Sequence, residues 1–139
     1  MKKIGLMALV LMGAVSAQAS QLYCVGQSVK SPDPAWLEKA MVSATLVDSE
    51  RLDRLTLMSQ VGNSAPASSK VVSVRADAQY KARNPSYQGF NRFALSSNGW
   101  TQTYLLLPSN ATQLRQFRGY IQQVGHDSYP LIVLNCTQY

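Results

Sequence analysis

Apolar and polar residues alternate over short stretches of this chain, and turn-forming residues separate the stretches. Between positions 54 and 61, for instance, Leu55, Leu57 and Val61 alternate with Thr56 and Gln60. Successive side chains of a β-strand point to opposite faces, so a period of two is typical of a half-buried strand. The dominant pattern of the chain therefore predicts antiparallel β-structure.

About eight segments carry this pattern. The predicted strands run from Gln21 to Gln27, Met41 to Val47, Arg54 to Val61, Lys70 to Tyr80, Asn91 to Ser96, Trp100 to Leu107, Arg115 to Val124 and Tyr129 to Gln138. Residues expected to share a face within their strands are Val72, Val74 and Ala76, then Phe93 and Leu95, and finally Ile132, Leu134 and Cys136. Asn98-Gly99 predicts a tight hairpin, and turns are expected at 48–51 and 125–128.

Two other segments need a choice between helix and strand. Residues 114–124 fit a helical stripe as well as an alternating strand, but Gly119 disfavours a helix, and we predict a strand. Asp33 and Pro34 are suited to the cap and the first position of a helix, which predicts one short helix ending at Lys39.

The two cysteines connect these strands into a fold. Cys24 lies in the first predicted strand and Cys136 in the last, and a disulfide between them would bring the two strands together. A sheet whose first and last strands meet is a closed or nearly closed barrel, which removes exposed edges. We therefore predict an all-β barrel of about eight antiparallel strands with one short helix, and a two-sheet β-sandwich is the alternative.

The N-terminal residues predict export. Lys2 and Lys3 precede an apolar run from Ile4 to Val15, and Ala17-Gln18-Ala19 follows as a cleavage site. The run is about a dozen residues, shorter than the ~20 that span a bilayer, so no transmembrane span is expected. We predict a signal peptide at 1–19, with cleavage after Ala17 as the alternative, and a single domain at 20–139. Its expected location is the periplasm or outside the cell, where disulfides form.

Net charge and motifs limit the classes of function that we expect for this chain. The mature domain has 11 basic and 7 acidic side chains, a net charge of +4. This modest excess suits an acidic protein, an envelope glycan or another anionic polymer better than nucleic acid. The single histidine, His126, has no nucleophile-elbow motif to work with, and the cysteines lack C-x-x-C spacing. We expect no catalytic residues, metal site or cofactor, and a hydrolase using His126 is the less favoured alternative.

One segment, residues 80–93, interleaves four aromatic residues with three cations. Tyrosine and arginine are favoured recognition residues because they offer broad surfaces with hydrogen-bonding tips at small entropic cost. The candidate binding residues are Tyr80, Lys81, Arg83, Tyr87, Arg92, Arg115 and Arg118. The alternative is a plain hairpin connection in which Tyr80 and Phe93 face the core and the cations are solvated.

This segment, with Leu22-Tyr23-Cys24, Leu105-Leu106-Leu107-Pro108 and Leu134-Asn135-Cys136, resembles a group of small exported bacterial proteins of uncharacterised function. The predicted shape is similar to that of periplasmic lysozyme inhibitors, which are disulfide-bonded β-barrels that present loops to an enzyme. Their inhibitory motif, with Ser and Lys around a glycine-rich segment, is not found here. We expect a non-catalytic binding protein, an inhibitor among the options, and a small-ligand carrier with an internal cavity is the alternative.

Overall fold

The computed structural model describes residues 19–28, 38–61, 65–82, 85–97, 102–123 and 132–139. These residues form β1 (Ser20–Ser28), β2 (Glu38–Asp48), β3 (Arg51–Val61), β4 (Ala67–Arg75), β5 (Phe90–Ser97), β6 (Gln102–Pro108), β7 (Gln116–Gln123) and β8 (Ile132–Gln138). Within this part of the chain, helical structure is confined to 3-10 turns at Pro85–Tyr87 and Ala111–Gln113. None of the described helical segments is long and apolar enough to cross a membrane.

All eight strands belong to one antiparallel sheet in the order β4-β3-β2-β1-β8-β7-β6-β5. The sheet curls so that its two outer strands meet at a bridge between Ala76 and Phe93. The result is a nearly closed barrel, which confirms the predicted fold. A two-sheet sandwich is excluded because every strand lies in the same sheet.

Most predicted strands are found within a few residues of their expected bounds. The segment 114–124 contains strand β7, as predicted, while Glu38 and Lys39 begin β2, so a helix does not extend to Lys39. The remaining residues of that predicted helix, the Asn98-Gly99 turn and the turn at 125–128 lie outside the described residues. The fourth strand ends at Arg75, because the residues after it form a turn at Asp77.

The disulfide joins Cys24 of β1 to Cys136 of β8. The two residues are direct register partners, with Cα atoms 4.0 Å apart. The predicted pairing of the first and last strands is therefore correct. These strands lie in the middle of the sheet, however, so the bond is remote from the seam between β4 and β5 where the barrel closes.

An irregularity in β3 changes which side chains face the core. Arg54 has a φ of +52°, and the β2–β3 register shifts beside it. Such a bulge lets Leu52 and Leu55, three positions apart, both point inward. Because Leu55 pairs with Val71, the changed orientation of side chains toward the core continues into β4.

The same shift overturns one predicted strand face. Val71 and Val74 pack against the core, whereas Val72 is 87% exposed. The prediction that Val72 shares a face with Val74 is therefore wrong. The predicted faces of β5 and β8 are correct, since their inward residues are buried.

Aliphatic and aromatic side chains fill the barrel interior. The largest fully buried members of the core are Leu22, Val42, Leu46, Leu52, Leu55, Phe93, Leu105, Leu107, Ile132 and Leu134, with Cys24 among them. Burial of a side chain of this size contributes about 1.5 to 3 kcal/mol. The interior of the barrel is therefore a packed core, on which the surface loops are mounted.

Candidate binding surface around the 80–92 loop

The segment that leads from β4 into the first residues of β5, here called the 80–92 loop, is preceded by a turn that Asp77 organises. The Asp77 carboxylate accepts a hydrogen bond from the backbone N–H of Gln79 at 3.0 Å, and the Asp77 carbonyl accepts one from the N–H of Tyr80 at 3.2 Å. The Asp77 N–H donates to the carbonyl of Arg92 at 2.8 Å. This turn therefore connects both ends of the loop across the seam.

Arg92 lies at the centre of this junction. Its guanidinium is 4.5 Å from the ring centre of Tyr80 and 4.1 Å from that of Tyr104. Its Nη2 donates to Asp77 Oδ2 at 2.6 Å. Arg92, a candidate for ligand binding from the sequence, thus has structural partners on three sides.

The ion pair also changes the acidity of Asp77. The hydrogen bond from Arg92 is the largest influence, and together with the one from the Gln79 N–H it holds the pKa of the Asp77 carboxyl below its ordinary value. Partial desolvation opposes this effect. The carboxylate form is favoured because both partners donate to its oxygens.

A second group of aromatic residues attaches the middle of the loop to the outside of the barrel. The Tyr87 ring is 6% exposed, with its centre 5.1 Å from that of Tyr120 and 6.4 Å from that of Phe90. Phe90 and Tyr120 are 5.5 Å apart. Burial raises the pKa of the Tyr87 phenol, and Tyr120 adds to the rise. These edge-to-face and tilted contacts fix the loop against β7.

The covering of the outer face extends to Leu106. Its neighbours Leu105 and Leu107 belong to the core, so Leu106 points the other way, yet it is fully buried. Its register partners on either side are Arg92, which belongs to the junction with Asp77, and Tyr120, which belongs to the aromatic group around Tyr87. These two groups are the anchors of the loop. The loop therefore rests on a small apolar layer outside the barrel.

Backbone hydrogen bonds complete the anchoring. Gly89, with a φ of +82°, presents its carbonyl to the N–H of Ser109 at 2.8 Å. The Asn91 side-chain amide donates to the carbonyl of Ser49 at 2.6 Å, in the turn between β2 and β3. The loop is thus tied to both neighbouring loops at this end of the barrel.

A pocket of about 320 Å³ opens between the anchors. It is lined by Tyr80, Lys81, Ala82, Tyr87, Gln88, Gly89 and Phe90. Lys81 and Gln88 are exposed, while the three aromatic rings are partly or fully buried. We call it the loop pocket; it combines aromatic walls with a cation and an amide, groups that bind polar ligands with apolar faces.

The structure brings together only some of the predicted binding residues. Tyr80, Lys81 and Tyr87 share the loop pocket, and Arg92 supports it from behind. Arg83 lies outside the described residues. Gln88 also lines the pocket and was not among the predicted binding residues, although it lies within residues 80–93.

Arg115 and Arg118 lie elsewhere. Arg115 is at the same end of the barrel but lines a separate groove of about 960 Å³ with Asp48 and Gln138. Arg118 is on the outer side of β7, paired in register with Asn135, and lines a third groove of about 770 Å³. The loop pocket therefore does not include these two residues.

The surplus positive charge is at the surface. In the described ranges, ion pairs join Arg51 to Asp53 at 3.0 Å and Arg92 to Asp77 at 2.6 Å. The described cations that form no such pair are Lys39, Arg54, Lys70, Arg75, Lys81, Arg115 and Arg118. His126 and Asp127 lie outside the described residues.

In comparisons with protein families, curated proteins and solved structures, nothing matches this chain. The resemblance to small exported bacterial proteins and the similarity in shape to lysozyme inhibitors remain predictions. The chemistry of the surface is therefore the basis for inferring the function of this protein.

Proposed function

We propose that this protein is a non-catalytic, exported binding protein that recognises an acidic macromolecule, either a protein or an envelope glycan, through the loop pocket. The predicted signal peptide supports export, as does the disulfide. Strand β1 begins at Ser20, directly after the predicted cleavage site, so cleavage would leave the strand whole.

The observation that carries the proposal is that the pocket is held in place from both sides. Arg92 stacks on Tyr80, and Tyr87 packs on Tyr120, so the aromatic walls are fixed before any partner arrives. Lys81 stands exposed at the rim and supplies positive charge. A surface that is already ordered loses less conformational entropy on binding, which favours affinity.

The packed interior favours surface recognition over a carrier that encloses its ligand. Core residues such as Leu22, Leu46 and Phe93 are at most 1% exposed inside the barrel. Three of the described carboxylates also have structural partners, because Asp53 and Asp77 form ion pairs and Asp48 accepts from the N–H of Glu50 at 2.8 Å. Inhibition of an enzyme is the narrower form of the proposal, in which the acidic partner is an enzyme of the envelope.

The test uses the domain 20–139 coupled to resin and incubated with envelope extract. We expect an acidic protein or glycan to be recovered by the wild type and lost with the double variant Lys81→Glu and Gln88→Ala, which changes exposed pocket residues. Lys70→Glu, an exposed lysine on β4, is the matched control for charge and should retain the partner. Tyr87→Ala and Arg92→Ala are unsuitable here because both side chains hold the loop.

The outcomes separate the alternatives. If the double variant recovers every partner as well as the wild type, the role of the loop pocket is wrong. An assay of lysozyme and other peptidoglycan hydrolases with purified protein then tests inhibition directly. Substrate turnover by the purified domain would contradict the non-catalytic proposal.

A further inference from the structure

The side of the barrel opposite the loop seam carries exposed apolar residues. Val25, Met41 and Met58 are 37 to 39% exposed on the outer face, and Tyr23 is similarly exposed. Register pairing places Val25 beside Met41 and Met41 beside Met58, so the three form a row across β1, β2 and β3. An apolar row of this kind on a strand face is a surface suited to a partner.

A groove of about 770 Å³ runs beside this row. Its floor lies over β1 and β8, where Val25, Gln27 and Asn135 line it. Lys39 and Met41 of β2 form one wall, and Arg118 of β7 forms the other. The loop pocket does not share any of these lining residues.

Each of the two walls carries one positively charged side chain. Among the described residues, neither Lys39 nor Arg118 forms an ion pair. They stand three strands apart and two register positions out of line, so a strand spacing of about 4.8 Å and a rise of about 3.4 Å per residue separate their backbones by roughly 16 Å. The groove thus has a cation at each side and, between them, a floor on which Val25 lies beside the polar side chains of Gln27 and Asn135.

We propose that this groove binds an acidic peptide segment of a partner protein, with two carboxylates flanking apolar side chains. An extended chain advances about 3.3 Å per residue, so carboxylates four residues apart lie about 13 Å from each other, and the long side chains of Lys39 and Arg118 cover the remaining few ångströms. The apolar residues between them contact Val25 and Met41, and the flexible Met41 side chain adapts to their shape.

Charge placement favours a peptide over other ligands. A glycan offers no apolar side chains for Val25 and Met41, and one lipid headgroup reaches one cation but not both. Complementary charges at two separated points also fix the register of an extended peptide. The proposal is independent of the loop pocket, because Lys81 and Gln88 do not line this groove.

The probe is a fluorescein-labelled peptide in which two glutamates flank three leucines, measured by fluorescence anisotropy with the domain 20–139. We expect saturable binding that weakens at least tenfold in Arg118→Glu and in Lys39→Glu, and that weakens as salt is added. Lys70→Glu lies off the groove and should bind as the wild type does. The Lys81→Glu variant should also bind normally, which distinguishes this site from the loop pocket.

Several results would overturn the proposal. A control peptide with glutamines in place of the glutamates should bind at least tenfold more weakly, and equal binding would remove the role of charge. Full binding by Arg118→Glu and Lys39→Glu, or no binding by the folded wild type, would place the peptide elsewhere or nowhere. Binding to phosphatidylglycerol vesicles that Arg118→Glu abolishes, without peptide binding, would identify a lipid surface instead. A dimer in sedimentation that Met41→Glu dissociates would show that a second copy covers this face.

Discussion

Arg92 donates a hydrogen bond to Asp77 at 2.6 Å across the seam between β4 and β5. Every other pair of neighbouring strands in the described barrel is joined by a ladder of four or more register pairs, whereas these two meet at the Ala76–Phe93 bridge. The ion pair, the backbone bond from Asp77 to Arg92 and the stacking on Tyr80 therefore close the barrel and position the loop pocket.

Removal of Arg92 should destabilise the seam. We expect Arg92→Ala to lower the free energy of unfolding by about 2 kcal/mol, because it removes contacts with two tyrosine rings and a partly exposed ion pair. Arg75→Ala, at an exposed arginine with no ion pair in the described ranges, should change it by less than about 0.5 kcal/mol. Urea denaturation measures both, and equal effects would contradict a structural role for Arg92.

The seam should also make stability depend on pH. The pKa of Asp77 is lowered in the folded protein, chiefly by the hydrogen bond from Arg92, so the carboxylate favours folding above the unfolded pKa of about 3.9. That contribution is lost as the pH falls through the lower, folded pKa. The stability difference between wild type and Asp77→Asn should therefore be constant near neutral pH and shrink below about pH 4. A difference that stays constant down to pH 2 would show that the charge of Asp77 does not contribute.

The disulfide should be the largest single contributor to stability. It joins residues 112 positions apart, and the entropy of closing such a loop in the unfolded chain corresponds to about 4 to 5 kcal/mol. We expect the Cys24→Ala and Cys136→Ala double variant to lose most of this amount in urea denaturation. The reduced wild-type protein is the control, and it should lose a similar amount. A loss below about 1 kcal/mol would contradict the estimate.

Tyr87 should anchor the loop locally. Tyr87→Ala removes a buried ring that contacts Tyr120 and Phe90, so we expect faster hydrogen exchange at the Ser109 N–H, which is bonded to Gly89. Amides between β1 and β8 should keep their protection. Tyr87→Phe retains the ring and should leave the exchange of Ser109 almost unchanged. Equal exchange in both variants would mean that the ring does not hold the loop.

The close approach of strands β1 and β8 explains why position 26 is a glycine. A Cβ atom there would lie 1.9 Å from the carbonyl oxygen of Val133 in β8, so Gly26→Ala should cost more than about 2 kcal/mol. At Gly89 a Cβ would meet nothing within 4 Å, and the cost of Gly89→Ala arises from the positive φ, about 1 kcal/mol. In thermal denaturation, the melting temperature of Gly26→Ala should therefore be lower than that of Gly89→Ala. The reverse order would contradict the close approach of the two strands.

The candidate surface was only partly predictable. The mixture of aromatic residues and cations drew attention to 80–93, and Tyr80, Lys81 and Tyr87 do line one pocket. Composition could not tell that Arg92 would be held by Asp77 and Tyr104, since both partners are distant along the chain. Nor could it show that Arg118 would face a groove on another side of the barrel.

Sequence patterns were enough to predict the strands, their approximate bounds and the pairing of the first strand with the last. These features are local or depend on a single pair, because alternation of period two is a property of neighbouring residues and two cysteines have one partner each. Tertiary structure alone decided the bulge at Arg54, the exposure of Val72, the position of the seam and the surroundings of Arg92. Each of these depends on register and packing between strands, where one residue of shift turns a side chain from the core to solvent.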